Sequence, residues 1–188
     1  IVSIDSRRAK VMAEAYAAGA VIVNDVSALT EDPDAMQLIS ESGMSVVLSH
    51  MQGNPCNMQN NPTYDVPSKD IFQYLTSRVN ACEVSGIPRT KIAVDPGIGF
   101  GKTLDHNLEI LANIDIYHGL NCALVIGVSR KSFIGQLSDT KVPGDRMPGS
   151  IAAALAARMK GVQIFRVHDV AETIQAFKVW EAIQGIYT

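Results

Sequence analysis

The sequence is poor in cysteine, and its three thiols, Cys56, Cys82 and Cys122, are odd in number and form no Cys-x-x-Cys pair. That argues against a disulfide framework and for a reduced, intracellular protein with structural thiols. Charge of one sign is also missing. Sixteen Lys and Arg against 19 Asp and Glu give a formal net charge of −3, with a pI near 5.8. A broad nucleic-acid or polybasic membrane surface is excluded, and any basic site has to be local. No apolar run approaches the roughly 20 residues that would cross a bilayer, and no signal peptide is present. The expectation is a cytoplasmic protein with neither nucleic acid nor membrane as a partner. An initiator Met is absent too, and the chain opens inside an apolar run, Ile1-Val2-Ser3-Ile4, as a cut through a larger protein would.

What is present is ordinary for a globular protein: 188 residues, 47% hydrophobic and 19% charged, enough to bury one core in a single domain over residues 1–188. Apolar runs at 1–4, 20–23, 44–50, 91–94, 122–126 and 162–165 read as strands. Helical patterns lie between them. Val11, Ala15 and Ala18 repeat at helical spacing before Gly19. A second helix is predicted from the cap-and-proline pair Asp32-Pro33 to Gly43. Others follow over about 68–85, 104–116 and 149–160, the last rich in alanine and able to pack closely. A closing helix carries Val170, Ile174, Phe177, Trp180 and Ile183 on one stripe.

Six strand–helix units in alternation imply a parallel sheet with helical crossovers. An open doubly wound sheet and a (β/α)8 barrel compete for this pattern. Polar residues decide between them: Asp5, Asn24, His50, Asp95, Ser129 and Arg166 each stand where an apolar run gives out. Such groups converge from every strand only if the strand ends form a ring, the rim on which barrels build active sites. An open sheet concentrates them at one crevice. A complete barrel takes about 250 residues, so the expectation is an α/β fold, a TIM (β/α)8 barrel represented by its six C-terminal units, with two units missing upstream. The last two strands are then the seventh and eighth, whose loops often hold phosphate. Those loops carry Ser129-Arg130-Lys131 and Arg166-Val167-His168. Arg166 and His168 share a strand face by alternation, which suits a joint anion contact.

The run Gly97-Ile98-Gly99-Phe100-Gly101-Lys102-Thr103 invites a P-loop reading but has three residues, not four, between Gly97 and Gly101. Asp95-Pro96-Gly97 instead presents a carboxylate at a strand tip and turns sharply, so that backbone can approach a flat ligand. Asp5, Asn24 and Asp95 are short acceptors on three strand ends. They suit general acid–base chemistry, a metal, or the donor edge of a heterocycle; for Asp5 a helix cap, and for Asn24-Asp25 a turn, are the structural alternatives. His50 reads equally as a structural hydrogen-bonder or a site residue, while His106 and His118 read as surface. The polar, aperiodic stretch 51–62 reads as a lid or binding loop.

Assembled, these segments closely resemble the dihydropteroate synthase family. The resemblance rests on Ser3-Ile4-Asp5, Asn24-Asp25-Val26, Ser49-His50-Met51-Gln52-Gly53, Asp95 through Lys102, Ser129 through Gly135 and Arg166 through Val170, six motifs in order along the chain. It implies a (β/α)8 barrel and a transferase of folate biosynthesis, the target of sulfonamides. Such an enzyme condenses 6-hydroxymethyl-7,8-dihydropterin pyrophosphate with p-aminobenzoate to give 7,8-dihydropteroate and pyrophosphate. By resemblance, Asp5, Asn24 and Asp95 hold the amino-pyrimidinone edge of the pterin, and Lys131 contacts its other side. Arg166 and His168 hold the pyrophosphate. Ser129 positions p-aminobenzoate, Phe100 and Arg130 line its approach, and Gly127 belongs to the substrate-binding set. Lys131, Arg166 and His168 carry the catalytic roles.

The resemblance also implies Mg2+ as cofactor, with no metal ligand in this segment, because the family's asparagine for it lies on an upstream strand. A homodimer is implied as well. Ser6 departs from the family's usual threonine, and the family's mobile Thr-Arg-Pro loop is absent. A pterin-dependent methyltransferase of the related barrel type, or an inactive pterin-binding paralogue or segment, is the alternative; the former has no need of a pyrophosphate site. These 188 residues by themselves are expected to lack full activity and to expose a barrel edge. Robust pyrophosphate release dependent on p-aminobenzoate, assayed on the isolated 188-residue chain, would contradict that expectation.

Overall fold

The apolar runs become six short strands: β1 Ser3–Asp5, β2 Ile22–Asp25, β3 Ser45–Ser49, β4 Ile92–Asp95, β5 Ala123–Ile126 and β6 Ile164–Phe165. The structure, a computed structural model, describes residues 1–53 and 58–185. Every pairing is parallel, and the strands lie side by side in chain order without a skip. A flat sheet of six strands would hold its edges about 24 Å apart, at roughly 4.8 Å per neighbour. Here the Arg166 guanidinium, one residue beyond β6, lies 3.5 Å from the Asp5 carboxylate at the end of β1. The sheet is therefore curled until its two edges face each other. That is the geometry of a TIM barrel, built here from six of its units, and the doubly wound alternative falls away.

Among the described residues, seven α-helices cover the outside: α1 Ala9–Ala17, α2 Ala35–Ser42, α3 Pro67–Val84, α4 Leu104–Ala112, α5 Ser132–Ser138, α6 Met147–Met159 and α7 Val170–Ile183. Because residues alternate in direction along a strand, the parallel register sorts each strand into two faces. Val23, Val46, Ile92 and, one step along, Leu48, Val94 and Leu124 share the outer face. All are buried beneath the helices, where they meet Met12, Ile39, Leu75, Ile110 and Tyr117. Tyr117 is fully buried, and its hydroxyl donates to the Ser68 carbonyl at 3.2 Å, which satisfies the one polar atom it brings into the core. The inner face receives Asp5, Asn24, Ser49 and Asp95 instead.

Several boundaries differ from the sequence reading, each for a local reason. α2 begins at Ala35 after Asp34, so Asp32 does not cap it as predicted. The Asp32 carboxylate is shared: one oxygen accepts from Asp34 N–H at 3.1 Å, the other from Ala9 N–H at 2.8 Å in the first turn of α1. It thus supplies a cap that Arg8 cannot. α4 stops at Ala112, and a 3-10 stretch, Ile114–Leu120, replaces the predicted last turn. α5 has no counterpart in the sequence reading, since seven residues are too few to display a helical period. The alanine-rich α6 does pack closely: a Cβ at Gly149 would lie 2.4 Å from the Ile134 side chain on α5.

In α7, Phe177 meets Phe165 edge-on with centroids 4.8 Å apart. Trp180 is half-buried, but Val170, Ile174 and Ile183 of the same stripe are exposed.

Strands β3 and β4 stay paired past their ends, where His50 N–H donates to the Asp95 carbonyl at 3.0 Å. Gly97 then crosses directly over His50. Its φ of +70° lies in the left-handed region, and a Cβ there would sit 1.9 Å from the His50 carbonyl oxygen. Gly43, the C-cap of α2, has a similar φ of +67° with nothing within 4 Å. Alanine at position 43 should therefore cost only the left-handed penalty of about 1–2 kcal/mol. Alanine at 97 should cost about 1–3 kcal/mol more, for the forced shift of packed backbone. Equal urea-unfolding free energies for Gly43→Ala and Gly97→Ala would disprove the close approach.

Candidate functional site

The rim is assembled where strands end and side-chain polarity changes. On β2 the two candidate polar residues part company by alternation. Asp25, fully buried, points outward: its carboxylate accepts from Ser27 N–H and Oγ–H, both at 2.7 Å, and from Leu29 N–H at 3.0 Å. It shapes a turn in which Ala28 and Leu29 both take positive φ. Asn24 lies on the inner face in register with Asp5. Its Nδ2 is buried and has no hydrogen-bond partner among the described residues. The turn reading therefore describes Asp25 and leaves Asn24 to the site.

Asp95, 1% exposed, stands at the end of β4, where one carboxylate oxygen accepts from Gly97 N–H at 2.7 Å. Ser49 is its register partner on β3 and shares the inner face. The Ser49 hydroxyl is buried and, like the Asn24 amide, has no partner among the described residues. The sequence reading passed over Ser49 in favour of His50. The register makes the distinction: Val47 pairs with Asn24, Ser49 follows Val47 by two on the same face, and His50 is out of phase.

Opposite these acceptors stand the cations. The Lys131 ammonium donates to the Ile98 carbonyl and lies 4.5 Å from the centre of the Phe100 ring. Burial lowers its pKa to about 8, Asp95 pulling it back up and Arg166 pushing it further down. Most of the lysine is still charged at neutral pH. Its fixed contacts are thus the Ile98 carbonyl and the Phe100 ring, both in the loop that follows β4. Arg166 extends the β6 ladder through N–H to the Ile126 carbonyl at 2.9 Å. Its side chain crosses Gly127 so closely that a Cβ there would meet the guanidinium at 3.3 Å. Glycine at 127 thus leaves room for the Arg166 side chain on its way to Asp5. The Asp5–Arg166 pair is largely exposed, 64% and 43% respectively. Asp5 caps no helix; Ser6 and Asp32 serve the start of α1.

Ser129 and His168 meet across the two loops. His168 Nδ1 is 2.9 Å from Ser129 Oγ, which also accepts from the His168 backbone N–H at 3.2 Å. Arg130 turns away from Lys131 because its backbone is left-handed, with φ +59°. Ser150 Oγ accepts its N–H at 2.8 Å, and Arg146 donates to its carbonyl at 3.0 Å. The Arg130 guanidinium grips Asp169 with two donors and holds that carboxylate below its usual range. Asp169, Arg146 and Ser150 are supports that the sequence reading did not find, since nothing in local spacing links them to residue 130.

The loop read as a lid lies over residues 51–62, of which 54–57 fall outside the described residues. Within it Gln59 donates to the Gly99 carbonyl of the neighbouring loop at 2.7 Å, and just beyond it the Tyr64 hydroxyl donates to the Gly101 carbonyl at 2.8 Å. His50 is 8% exposed and sits edge-on to Tyr74, centroids 5.0 Å apart. His106 is the third residue of α4 in a capping box with Thr103, and His118 contacts the Lys160 carbonyl at 2.9 Å. Both are only partly exposed. Cys82 and Cys122 are free, burial raises both thiols, that of Cys82 to about 11, and Cys56 lies outside the described residues.

A further buried pair lies behind Asp95. The Lys102 ammonium, in a residue 3% exposed, is 3.1 Å from His50 Nδ1. Burial brings its pKa down to about 7, with Asp95 raising it. Burial and then the Lys102 charge hold His50 down at about 3. His50 is therefore neutral and accepts at Nδ1, which puts its own proton on Nε2.

Residues 1–168 match the family described as pterin binding enzyme. The chain belongs to that family. It is 44% identical over 181 residues to dihydropteroate synthase of Escherichia coli (strain K12), covering 96% of this chain and 64% of that protein. Among solved structures, Yersinia pestis dihydropteroate synthase in complex with a sulfonamide drug superposes with a TM-score of 0.94 at 42% identity, over 98% of this chain and 67% of that one. The Xanthomonas albilineans dihydropteroate synthase in complex with 7,8-dihydropteroate gives 0.91 at 37% identity, over 98% and 67%. The chain thus spans slightly less than two thirds of the length of the E. coli protein.

The His50 environment has a consequence for acid stability. In the unfolded chain His50 takes up its proton near pH 6.5, whereas folded it stays neutral down to about 3. Between those values the unfolded state binds more protons, so stability falls as pH falls, by up to about 4 kcal/mol across the window. His50→Gln should flatten the stability–pH slope between pH 6.5 and 3 in urea titrations. Parallel slopes for variant and wild type would rule this out.

Proposed function

We propose that this chain is the pterin- and pyrophosphate-binding part of a dihydropteroate synthase, forming one domain over residues 1–188. The observation that carries the reading is the shared inner face of Asp5, Asn24 and Asp95, with the Lys131 ammonium held over the Phe100 ring in the loop that follows β4. Short acceptors at neighbouring strand ends match the row of N–H donors on an amino-pyrimidinone edge. The unpartnered Asn24 amide and Ser49 hydroxyl add a donor and a second polar contact for the ring's acceptors. Lys131 and Phe100, cation over ring, form the opposite wall.

In this reading Arg166 and His168 take the pyrophosphate. The pterin methylene carbon–oxygen bond breaks, its electron pair leaves with the pyrophosphate oxygen, and fixed cations stabilise that charge. The amine nitrogen of p-aminobenzoate attacks the methylene, forms the new carbon–nitrogen bond and gives up a proton to solvent. Positioning of the two substrates supplies the remainder, and no protein nucleophile takes part. Ser129, aligned by its bond with His168, would meet p-aminobenzoate together with Phe100. Arg130 would act at that side while held by Asp169.

The X. albilineans relative binds 7,8-dihydropteroate, the compound that joins the two substrates. The reading includes Mg2+ beside the pyrophosphate. Among the described residues no group of three or more His, Cys, Asp or Glu side chains is placed to hold a metal ion. Assembly as a cytoplasmic homodimer completes the reading. No described helix is long and apolar enough to cross a membrane.

Charge-assisted contacts of this kind contribute about 1.5–3 kcal/mol each. Lys131→Ala and Arg166→Ala in the full-length protein should therefore each weaken binding of the pterin pyrophosphate by about 10- to 100-fold, read by calorimetry. Unchanged affinity in both variants would refute the assignment.

A further inference from the structure

The glycine-rich stretch that failed as a P-loop ends in Lys102, and the proposed reaction gives this lysine nothing to do. A buried ammonium is costly and persists where its donors are all used. Lys102 donates to the Phe100 carbonyl at 3.0 Å, approaches the His50 carbonyl at 3.5 Å and meets His50 Nδ1 at 3.1 Å. Among the described residues it makes no ion pair with a carboxylate. Its partners are two backbone carbonyls and a neutral imidazole, and they belong to two different loops. One follows β3 and the other follows β4.

The same two loops are joined elsewhere. A Cβ at Gly101 would stand 2.5 Å from the Gln52 carbonyl, so the backbones are in direct contact. Gln59 and Tyr64 donate to the carbonyls of Gly99 and Gly101. From the other side Asn107 of α4 accepts the Gly99 N–H at 2.7 Å. Within the stretch Phe100 sends its side chain to the cations, where its ring lies against the Lys131 ammonium. Its ring position is set by where residues 99–102 are held. Lys102 is the side chain that ties this stretch to the body of β3 through His50.

We propose that Lys102 and His50 form a latch that fixes the β4 loop on the β3 loop and thereby sets Phe100 against Lys131, making them positioning residues for p-aminobenzoate. This rests on the synthase reading above. The latch acts through Phe100 and touches no substrate. The glycines around it serve the same end, since they let two backbones approach closely enough for one lysine to bridge them.

The test uses Lys102→Met in the full-length protein, which keeps the aliphatic stem and removes the donors. Removing a buried cation that has no carboxylate partner also removes its desolvation cost, so the variant is expected to fold with a melting temperature near that of wild type. The KM for p-aminobenzoate should rise about tenfold while affinity for the pterin pyrophosphate changes less than threefold. Amide exchange at Gly99 and Phe100 should accelerate. Tyr64→Phe removes a second tie between the loops without altering a buried charge and should raise the same KM about threefold.

An unchanged KM with unchanged exchange in Lys102→Met would overturn the latch. So would faster exchange with no kinetic effect, or an unfolded Lys102→Met variant together with a kinetically silent Tyr64→Phe. Absence of p-aminobenzoate-dependent pyrophosphate release from the wild-type protein would instead remove the synthase reading, and with it the positioning role.

Discussion

Parallel pairing in strict chain order, curled until the end of β6 meets the end of β1, is the constraint on which everything else in this molecule rests. Because side chains alternate along a strand, that register leaves each strand no choice about which residues face inward. Asp5, Asn24, Ser49 and Asp95 fall on one surface as a consequence of pairing alone. A slip of one residue in β3 would bury His50 inward and expel Ser49. The same register sends Val23, Val46, Leu48, Ile92, Val94 and Leu124 outward, so core formation and site formation are one event. Apolar burial under the helices stabilises the arrangement that presents the polar floor.

Curling then brings opposite charges together that a flat sheet would keep far apart. Arg166 can reach Asp5 only because the barrel has turned through six strands, and it passes close over residue 127, where a side chain would crowd the guanidinium. The loops above the strands are braced rather than free. Arg130 is held in a left-handed turn by Ser150, Arg146 and Asp169. The β4 loop is held by Asn107 beneath and by the β3 loop beside it. A site for two substrates needs such bracing, since misplacing either one by an ångström forfeits much of the benefit of proximity. Local order at these loops is therefore part of the proposed chemistry.

Burial of the Lys102–His50 pair illustrates how stability and function compete for the same residues. Both groups are pushed toward neutrality by the same lack of water. An apolar pair would pack there with less penalty, but it could not bridge carbonyls of two loops. The stretch of glycines around them reads in the same terms: each close approach gives up side-chain packing to let backbone meet backbone.

The sequence by itself determined the six-unit α/β plan, because strand runs, helix periods and polar strand tips are local patterns that survive without knowledge of contacts. The family motifs, the chemical character of Asp5, Asn24, Asp95, Lys131, Arg166 and His168, and the failure of the P-loop spacing were equally legible. The sequence was silent where two distant segments share one group. Asp32 capping α1, Asp169 gripping Arg130, Lys102 joining two loops and the brief α5 all arise from contacts across many residues or from elements too short to show a period. Only the tertiary structure decided between Ser49 and His50 as the inward residue of β3, and between Asn24 and Asp25 on β2. The physical reason is the same in each case: both members of the pair are polar and adjacent, and only the strand's register in the barrel says which one faces in.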